Sequence, residues 1–158
     1  MNDLKLVLVT GATGYVGRHL IPRLLQEGYE VRAFVRKPNK HRYFTCGKRV
    51  QIAVGDLLAP ETLDSALSGV FVAYYLVHSM TSGSSFAVKD IIAARNFGEA
   101  AKNAGVKRVV YLGGLGDPSV QLSEHLRSRQ ETGKALRRSG VCLTEFRAAI
   151  IVGSGSIS

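Results

Sequence analysis

Tryptophan is absent from the chain, and only 2 cysteines and 4 prolines occur among its 158 residues. Cys46 and Cys142 stand far apart and belong to no C-x-x-C or His/Cys cluster. That excludes a disulfide framework, supplies no metal-ligating set, and leaves two reduced thiols as the expectation. Long apolar runs are missing too: the longest, Val70 to Val77, falls far short of the ~20 residues that span a bilayer. Met1-Asn2-Asp3-Leu4-Lys5 leads directly into a strand-like run with no signal-peptide pattern, so no membrane association and a cytoplasmic location are expected. Negative charge is scarce, with 12 acidic against 21 basic residues and a net charge of +9. The basic residues are nevertheless spread over several segments without interleaved aromatics, which argues against a general nucleic-acid-binding surface. A hydrophobic share of 46% without low-complexity tracts points to one globular domain over residues 1–158.

Glycine, by contrast, is plentiful and patterned. Leu6-Val7-Leu8-Val9 runs into Thr10-Gly11-Ala12-Thr13-Gly14-Tyr15-Val16-Gly17, where three glycines recur every third residue. This is the signature of a strand feeding a phosphate-binding turn. The first glycine permits the tight turn, the second lets backbone approach a pyrophosphate, and the third lets the following helix pack closely on the sheet. Amide N–H groups and the positive end of the helix dipole would then face the anion. The spacing is G-x-x-G-x-x-G in place of the usual G-x-G-x-x-G, so the assignment to dinucleotide binding, through Gly11, Thr13, Gly14, Tyr15, Val16 and Gly17, depends on the pattern of the remaining chain.

From Tyr15 onward the chain alternates helix and strand. Val16, Leu20, Ile21, Leu24 and Leu25 recur at helical spacing from Tyr15 to Gln26, with Pro22 expected to bend the helix and Gly28 to stop it. Glu30 to Val35 reads as the second strand. At its end stand Arg36 and Lys37, the start of the densest basic cluster, where a carboxylate would hold the ribose hydroxyls of NAD and a cation accommodates the 2′-phosphate of NADP. NADP is therefore the preferred cofactor, with NAD the alternative. Val50 to Val54 gives a third strand ending in Gly55-Asp56-Leu57, and Asp56 is placed to bond an adenine amino group or an adjacent amide, or to cap the next helix. A short helix spans Pro60 to Leu67, and Val70 to Val77 is a fourth, central strand apolar enough to be covered on both faces. The loop from His78 to Gly83 lies at the ligand-binding edge of such a sheet. A helix from Ser85 to Ala104 is expected to turn Phe86, Ile91, Ile92, Ala94, Phe97, Ala100 and Ala101 inward. Lys107 to Leu112 is a fifth strand, Ser123 to Arg138 a basic helix, and Val141 to Val152 a sixth strand with its extension. The pattern predicts an α/β fold, a doubly wound parallel sheet of Rossmann type in the order 3-2-1-4-5-6.

The glycine turn, Gly55-Asp56-Leu57, Tyr74-Tyr75-Leu76-Val77-His78-Ser79, Ala104 to Leu112, and Ser139-Gly140-Val141 leading to Glu145-Phe146-Arg147 together resemble the atypical, NmrA-like members of the short-chain dehydrogenase/reductase superfamily. The resemblance implies NAD(P) bound in an extended pose across the strand ends, with Asp56, Leu57, Val77 and His78 among its contacts. It also implies a Tyr-x-x-x-Lys pair with an upstream serine. No such pair exists here: the residues four past the six tyrosines are His19, Ala33, Gly47, His78, Ser79 and Leu115. Alignment puts His125 at the tyrosine position, Arg129 at the lysine position and Gly113-Gly114 at the serine position. His125 could act as an acid near neutral pH, and Arg129 could hold ribose hydroxyls or phosphate; both could equally be surface residues of a basic helix. Longer members continue past the sixth strand into segments that build the substrate pocket, and such segments are missing from these 158 residues.

Two functions fit. The loss of the tyrosine, lysine and serine favours a dinucleotide-binding sensor or regulatory module. The alternative is the cofactor half of an NADP-dependent oxidoreductase for a carbonyl or quinone, in which His125, Tyr75, His78 or a water supplies the proton. Partners are the dinucleotide, a small-molecule substrate and a possible second copy; no metal is expected.

Overall fold

A computed structural model describes residues 5–37, 50–78, 84–116 and 122–153. Its strands are β1 (Leu6–Val9), β2 (Glu30–Val35), β3 (Val50–Val54), β4 (Val72–Tyr75), β5 (Arg108–Gly114) and β6 (Leu143–Ala148), and its helices α1 (Tyr15–Gln26), α2 (Leu63–Leu67, after a 3-10 turn over Pro60–Thr62), α3 (Ser84–Asn103) and α4 (Glu124–Arg138). All strand pairs are parallel, in the order β3-β2-β1-β4-β5-β6. The order reverses between β1 and β4, and that is where an open α/β sheet leaves a crevice beyond its strand ends.

Alternation along the strands builds two cores. Val7, Val9, Val31, Ala33 and Val35 face α1, whose Ile21, Leu24 and Leu25 are buried against them. Leu8, Phe34, Ala73, Tyr75, Val109 and Tyr111 face the other way, against α2, α3 and α4. Arg32 projects to that second side and caps α2: its guanidinium donates to the carbonyls of Ala66 at 2.6 Å and Ser68 at 2.8 Å, the orphan acceptors at a helix end. Helix stops follow the glycines. Gly28 takes φ +88° while Tyr29 N–H donates back to the Leu24 carbonyl at 3.0 Å.

Two expectations are corrected. β4 is shorter than the apolar run and alternates, with Ala73 and Tyr75 buried but Val72 and Tyr74 only half-buried. On the α1 side no described helix covers the sheet beyond β1, which also leaves Phe146 of β6 60% exposed. Phe86, Ile91 and Ile92 of α3 are exposed, whereas Ala93, Ala94, Phe97, Ala100 and Ala101 are buried. A 20-residue helix is about 30 Å long and overshoots the short strand it covers, so its first turns have no sheet beneath them. Pro22 does not break α1, which runs from Tyr15 to Gln26 as expected of a residue that removes a single donor. The basic run through residues 38–42, Cys46, and residues 79–83 and 154–158 lie outside the described residues, whereas Cys142 is exposed and unpaired.

Candidate functional site

The glycine turn is built by contacts that only glycine permits. Gly11 adopts φ +63°, and a Cβ there would lie 2.8 Å from the Leu76 carbonyl oxygen. Gly17 opens α1 directly over the turn, so close that an added Cβ would run into the Gly11 carbonyl oxygen and come 2.8 Å from Ala12 Cα. Gly14 is different: it is the N-cap of α1, it is exposed, and its Cβ would meet only the Gly11 oxygen, at 3.1 Å. No side chain caps α1, and its first turn carries no acidic residue. The N–H groups of Tyr15, Val16 and Gly17 have no acceptor within the helix. The cradle therefore fits a pyrophosphate: donors, a positive dipole end, and no carboxylate to compete with the anion. Thr13, Tyr15 and Val16 are half-buried around it.

Thr10 is a part of the turn that sequence reading missed. It is wholly buried, accepts from Leu76 N–H at 3.1 Å and donates through its hydroxyl to the Tyr74 carbonyl at 3.1 Å. The hydroxyl thus locks the end of β1 to the end of β4 where the sheet order reverses. A polar residue interrupting an apolar strand just before the first glycine was the available signal.

The other expected residues follow the ends of β2, β3 and β4. Arg36 and Lys37 are exposed at the end of β2, next to the end of β1, and neither forms an ion pair with a described residue. Asp56 is exposed, and its carboxylate accepts from Leu58 N–H at 2.9 Å, so of the roles open to it the adjacent amide is taken up. Leu57 buries its side chain in the core, and its carbonyl accepts from Asn96 at 3.1 Å; only its backbone edge is free to meet a ligand. Val77 is half-buried beyond β4 and His78 is exposed beside it.

On the β5 side, α4 carries His125 and Arg129, one turn apart. Ser123 caps α4 through its side-chain oxygen, which accepts from Leu126 N–H. Arg129 donates from Nη2 to the Leu112 carbonyl at 3.2 Å, while its Nε is buried without a partner. His125 is exposed. The glycines at the expected serine position have steric reasons: a Cβ on Gly113 would lie 2.9 Å from Glu145 Oε1, and one on Gly114 would lie 2.8 Å from Leu126 and 3.3 Å from Arg129. Glu145 is itself held by Arg137 at 2.9 Å and Arg147 at 3.1 Å. Among the described residues no group of histidine, cysteine and carboxylate side chains could hold a metal.

The core tyrosines are sealed. Tyr75 and Tyr111 are each 1% exposed, and the Tyr111 hydroxyl donates to the Arg129 carbonyl at 2.7 Å. Burial is the main cause that pushes the Tyr75 phenol far above its ordinary range and the Tyr111 phenol up to about 12. Neither is placed to give a proton to a ligand. The linkage has a sign: the unfolded chain ionises these phenols near the ordinary tyrosine value of about 10, before the folded chain does. Their contribution to stability is complete below about pH 10 and is lost as pH climbs toward about 12 for Tyr111. Thermal unfolding measured from pH 9 upward is therefore expected to show a falling midpoint above pH 10, with a shallower fall in Tyr111→Phe.

Comparison with known proteins bears on this cradle. A family model described as NAD(P)H-binding matches residues 11–150. The chain is 31% identical over 153 residues to a ceramide reductase of Caulobacter vibrioides, across 94% of this chain and 47% of that protein. It superimposes on the triphenylmethane reductase of Citrobacter sp. complexed with NADP(H) at a TM-score of 0.73, with 26% identity over 91% of this chain and 49% of the other. The NADPH-dependent quinone oxidoreductase of Escherichia coli, complexed with NADPH, gives 0.75 and 29% identity over 89% and 48%. The chain spans about half the length of each of these proteins. No helix among the described residues is long and apolar enough to cross a membrane.

Proposed function

Because the chain belongs to the NAD(P)H-binding family, among the atypical, NmrA-like short-chain dehydrogenases/reductases, we propose that it is the cofactor-binding domain of a cytosolic NADP(H)-dependent oxidoreductase that reduces a carbonyl or quinone. The observation that carries this reading is the glycine cradle at the reversal of the sheet, open to an anion on one side and flanked by exposed Arg36 and Lys37 at the end of β2. Gly11, Gly14 and Gly17 with the first amides of α1 hold the pyrophosphate, Arg36 and Lys37 the 2′-phosphate, and Asp56 and Leu57 border the adenine. Val77, His78 and Arg129 border the nicotinamide half. The bound dinucleotide supplies hydride chemistry; the protein orients it and excludes water. The reductase and quinone-reductase relatives support the choice of reaction class.

A second reading, a sensor or regulatory module that binds the dinucleotide without chemistry, draws on the missing Tyr-x-x-x-Lys pair and the sealed tyrosines. Titration with NADPH followed by its fluorescence tests what both readings share: saturable binding is expected, and no binding of NADP(H) or NAD(H) at millimolar concentration defeats both. Reduction of a panel of quinones and carbonyls by NADPH then separates them, since the second reading requires none.

A further inference from the structure

The short loop that follows β3 is held by two side chains that lie outside the glycine cradle. Gly55 opens the loop in a tight place: a Cβ there would lie 2.7 Å from Thr62 Oγ1 and 2.8 Å from the Phe34 ring. Thr62, in the 3-10 turn ahead of α2, accepts from Asp56 N–H at 3.1 Å, and its hydroxyl proton is shared between the carbonyls of Ala59 at 2.7 Å and Asp56 at 3.0 Å. Ala59 N–H closes a backbone turn on the Asp56 carbonyl at 3.0 Å. From the other side Asn96 of α3 donates through Nδ2 to the Leu57 carbonyl at 3.1 Å. The backbone of Asp56, Leu57 and Ala59 is thus tied to two separate helical segments. On this fixed backbone the Asp56 carboxylate accepts from Leu58 N–H through Oδ1 at 2.9 Å, an Asx turn that sets the side chain and leaves its second oxygen to accept from a ligand.

Strand order places this loop third in a row. The ends of β1, β2 and β3 lie side by side, about 5 Å apart, so a dinucleotide with its pyrophosphate on the glycine turn and its ribose phosphate at Arg36 brings its base to Asp56. We propose that Thr62 and Asn96 are positioning residues for that base: by fixing the backbone that carries Asp56, they aim its carboxylate at the exocyclic amino group of adenine and against a base with oxygen in the same place. An ionised carboxylate only accepts hydrogen bonds. Adenine offers it an N–H, whereas a C=O there meets it acceptor to acceptor, and a site built to pair with one group rejects an analogue that lacks it. Fixing the backbone is what turns this into a choice, because a carboxylate on a loose loop swings away from the oxygen and tolerates both bases. The inference rests on the dinucleotide-binding reading and adds which residues set its selectivity for the base.

Affinities for NADPH and for its hypoxanthine analogue, which carries oxygen in place of the amino group, test this, since the reduced nicotinamide is the fluorophore of both. The parent protein is expected to bind NADPH about tenfold or more tighter than the analogue. Thr62→Val and Asn96→Leu, which keep the size of the side chain and remove its hydrogen bonds, are expected to bring that ratio below about threefold, and Thr62→Ser to restore it. The ratio of NADPH to NADH affinity, which reads the phosphate at Arg36, is expected to keep its parental value in all three. A parental hypoxanthine ratio in folded Thr62→Val and Asn96→Leu overturns the proposal even where both unfold at lower temperature, because that is the result of a merely structural role. A parallel fall in the NADPH-to-NADH ratio overturns it as well, by showing that the whole site has loosened. Should one variant fail to fold, the other carries the test, with Asn96→Ser as the milder change at that half-buried position. Equal affinity of the parent for NADPH and the analogue overturns the proposal and leaves dinucleotide binding standing. Failure of the parent to bind NADPH, NADH or the analogue sinks the dinucleotide-binding reading itself, and the proposal with it.

Discussion

Gly17→Ala is expected to abolish measurable dinucleotide binding and to lower the unfolding free energy by about 3 kcal/mol, at the upper end of what overpacking usually costs. The added methyl has nowhere to go, because it meets the Gly11 carbonyl and the Ala12 backbone, and neither is the movable end of a side chain. Relief requires α1 to lift from the turn, which separates the helix N-terminus from the glycine backbone it must work with. Gly14→Ala makes the informative contrast. Its methyl approaches only the Gly11 oxygen, at 3.1 Å, from an exposed position, so stability should change by under about 1 kcal/mol. The surface that methyl would occupy is where a pyrophosphate must come close, and NADPH affinity is expected to fall at least tenfold. Urea unfolding and NADPH fluorescence, read side by side, check both. Equal losses of stability in the two variants would contradict the packing argument.

Arg36→Asp should reverse the cofactor preference. A 2′-phosphate held by a guanidinium gains a charge-assisted hydrogen bond of about 1.5–3 kcal/mol. Replacing that cation with a carboxylate adds repulsion to its loss, so NADPH affinity is expected to drop by about a hundredfold. NADH presents two ribose hydroxyls, which a carboxylate at the end of β2 can accept from, and its affinity should hold or improve. No described residue forms an ion pair with Arg36 and the side chain is exposed, so the substitution should leave the thermal midpoint within a few degrees of the parent. Parallel titrations with NADPH and NADH decide the point: equal changes in the two would end the case for phosphate recognition by Arg36. Lys37, exposed next to it, explains why Arg36→Gln should be milder than Arg36→Asp.

Legibility in the sequence tracked the range of the interaction. Three glycines three residues apart at the end of an apolar run specify the turn, because the demands they meet are local: a positive φ at Gly11, a close approach at Gly14, a helix seated on its own loop at Gly17. Strand and helix alternation and the right-handedness of crossovers then determine the parallel sheet and its order, and the residue after the second strand points to a ribose phosphate.

Side-chain chemistry at the other end of the crevice was set by folding alone. Asp90 of α3 and Ser128 of α4 are 38 positions apart and meet only when the two helices pack. Tyr75 looks like a proton donor until the sheet and two helices bury it, and Gly113 and Gly114 look like a lost serine until Glu145, Leu126 and Arg129 are found in the space. Phe86, Ile91 and Ile92 carry the periodicity of a buried face, yet α3 is longer than the strand beneath it and they remain exposed. The order of residues along the chain was enough for the backbone turn and the cofactor class, because those depend on neighbours a few positions apart. Which groups are sealed from a ligand was left to the packed molecule, because burial at a point depends on segments dozens of residues away.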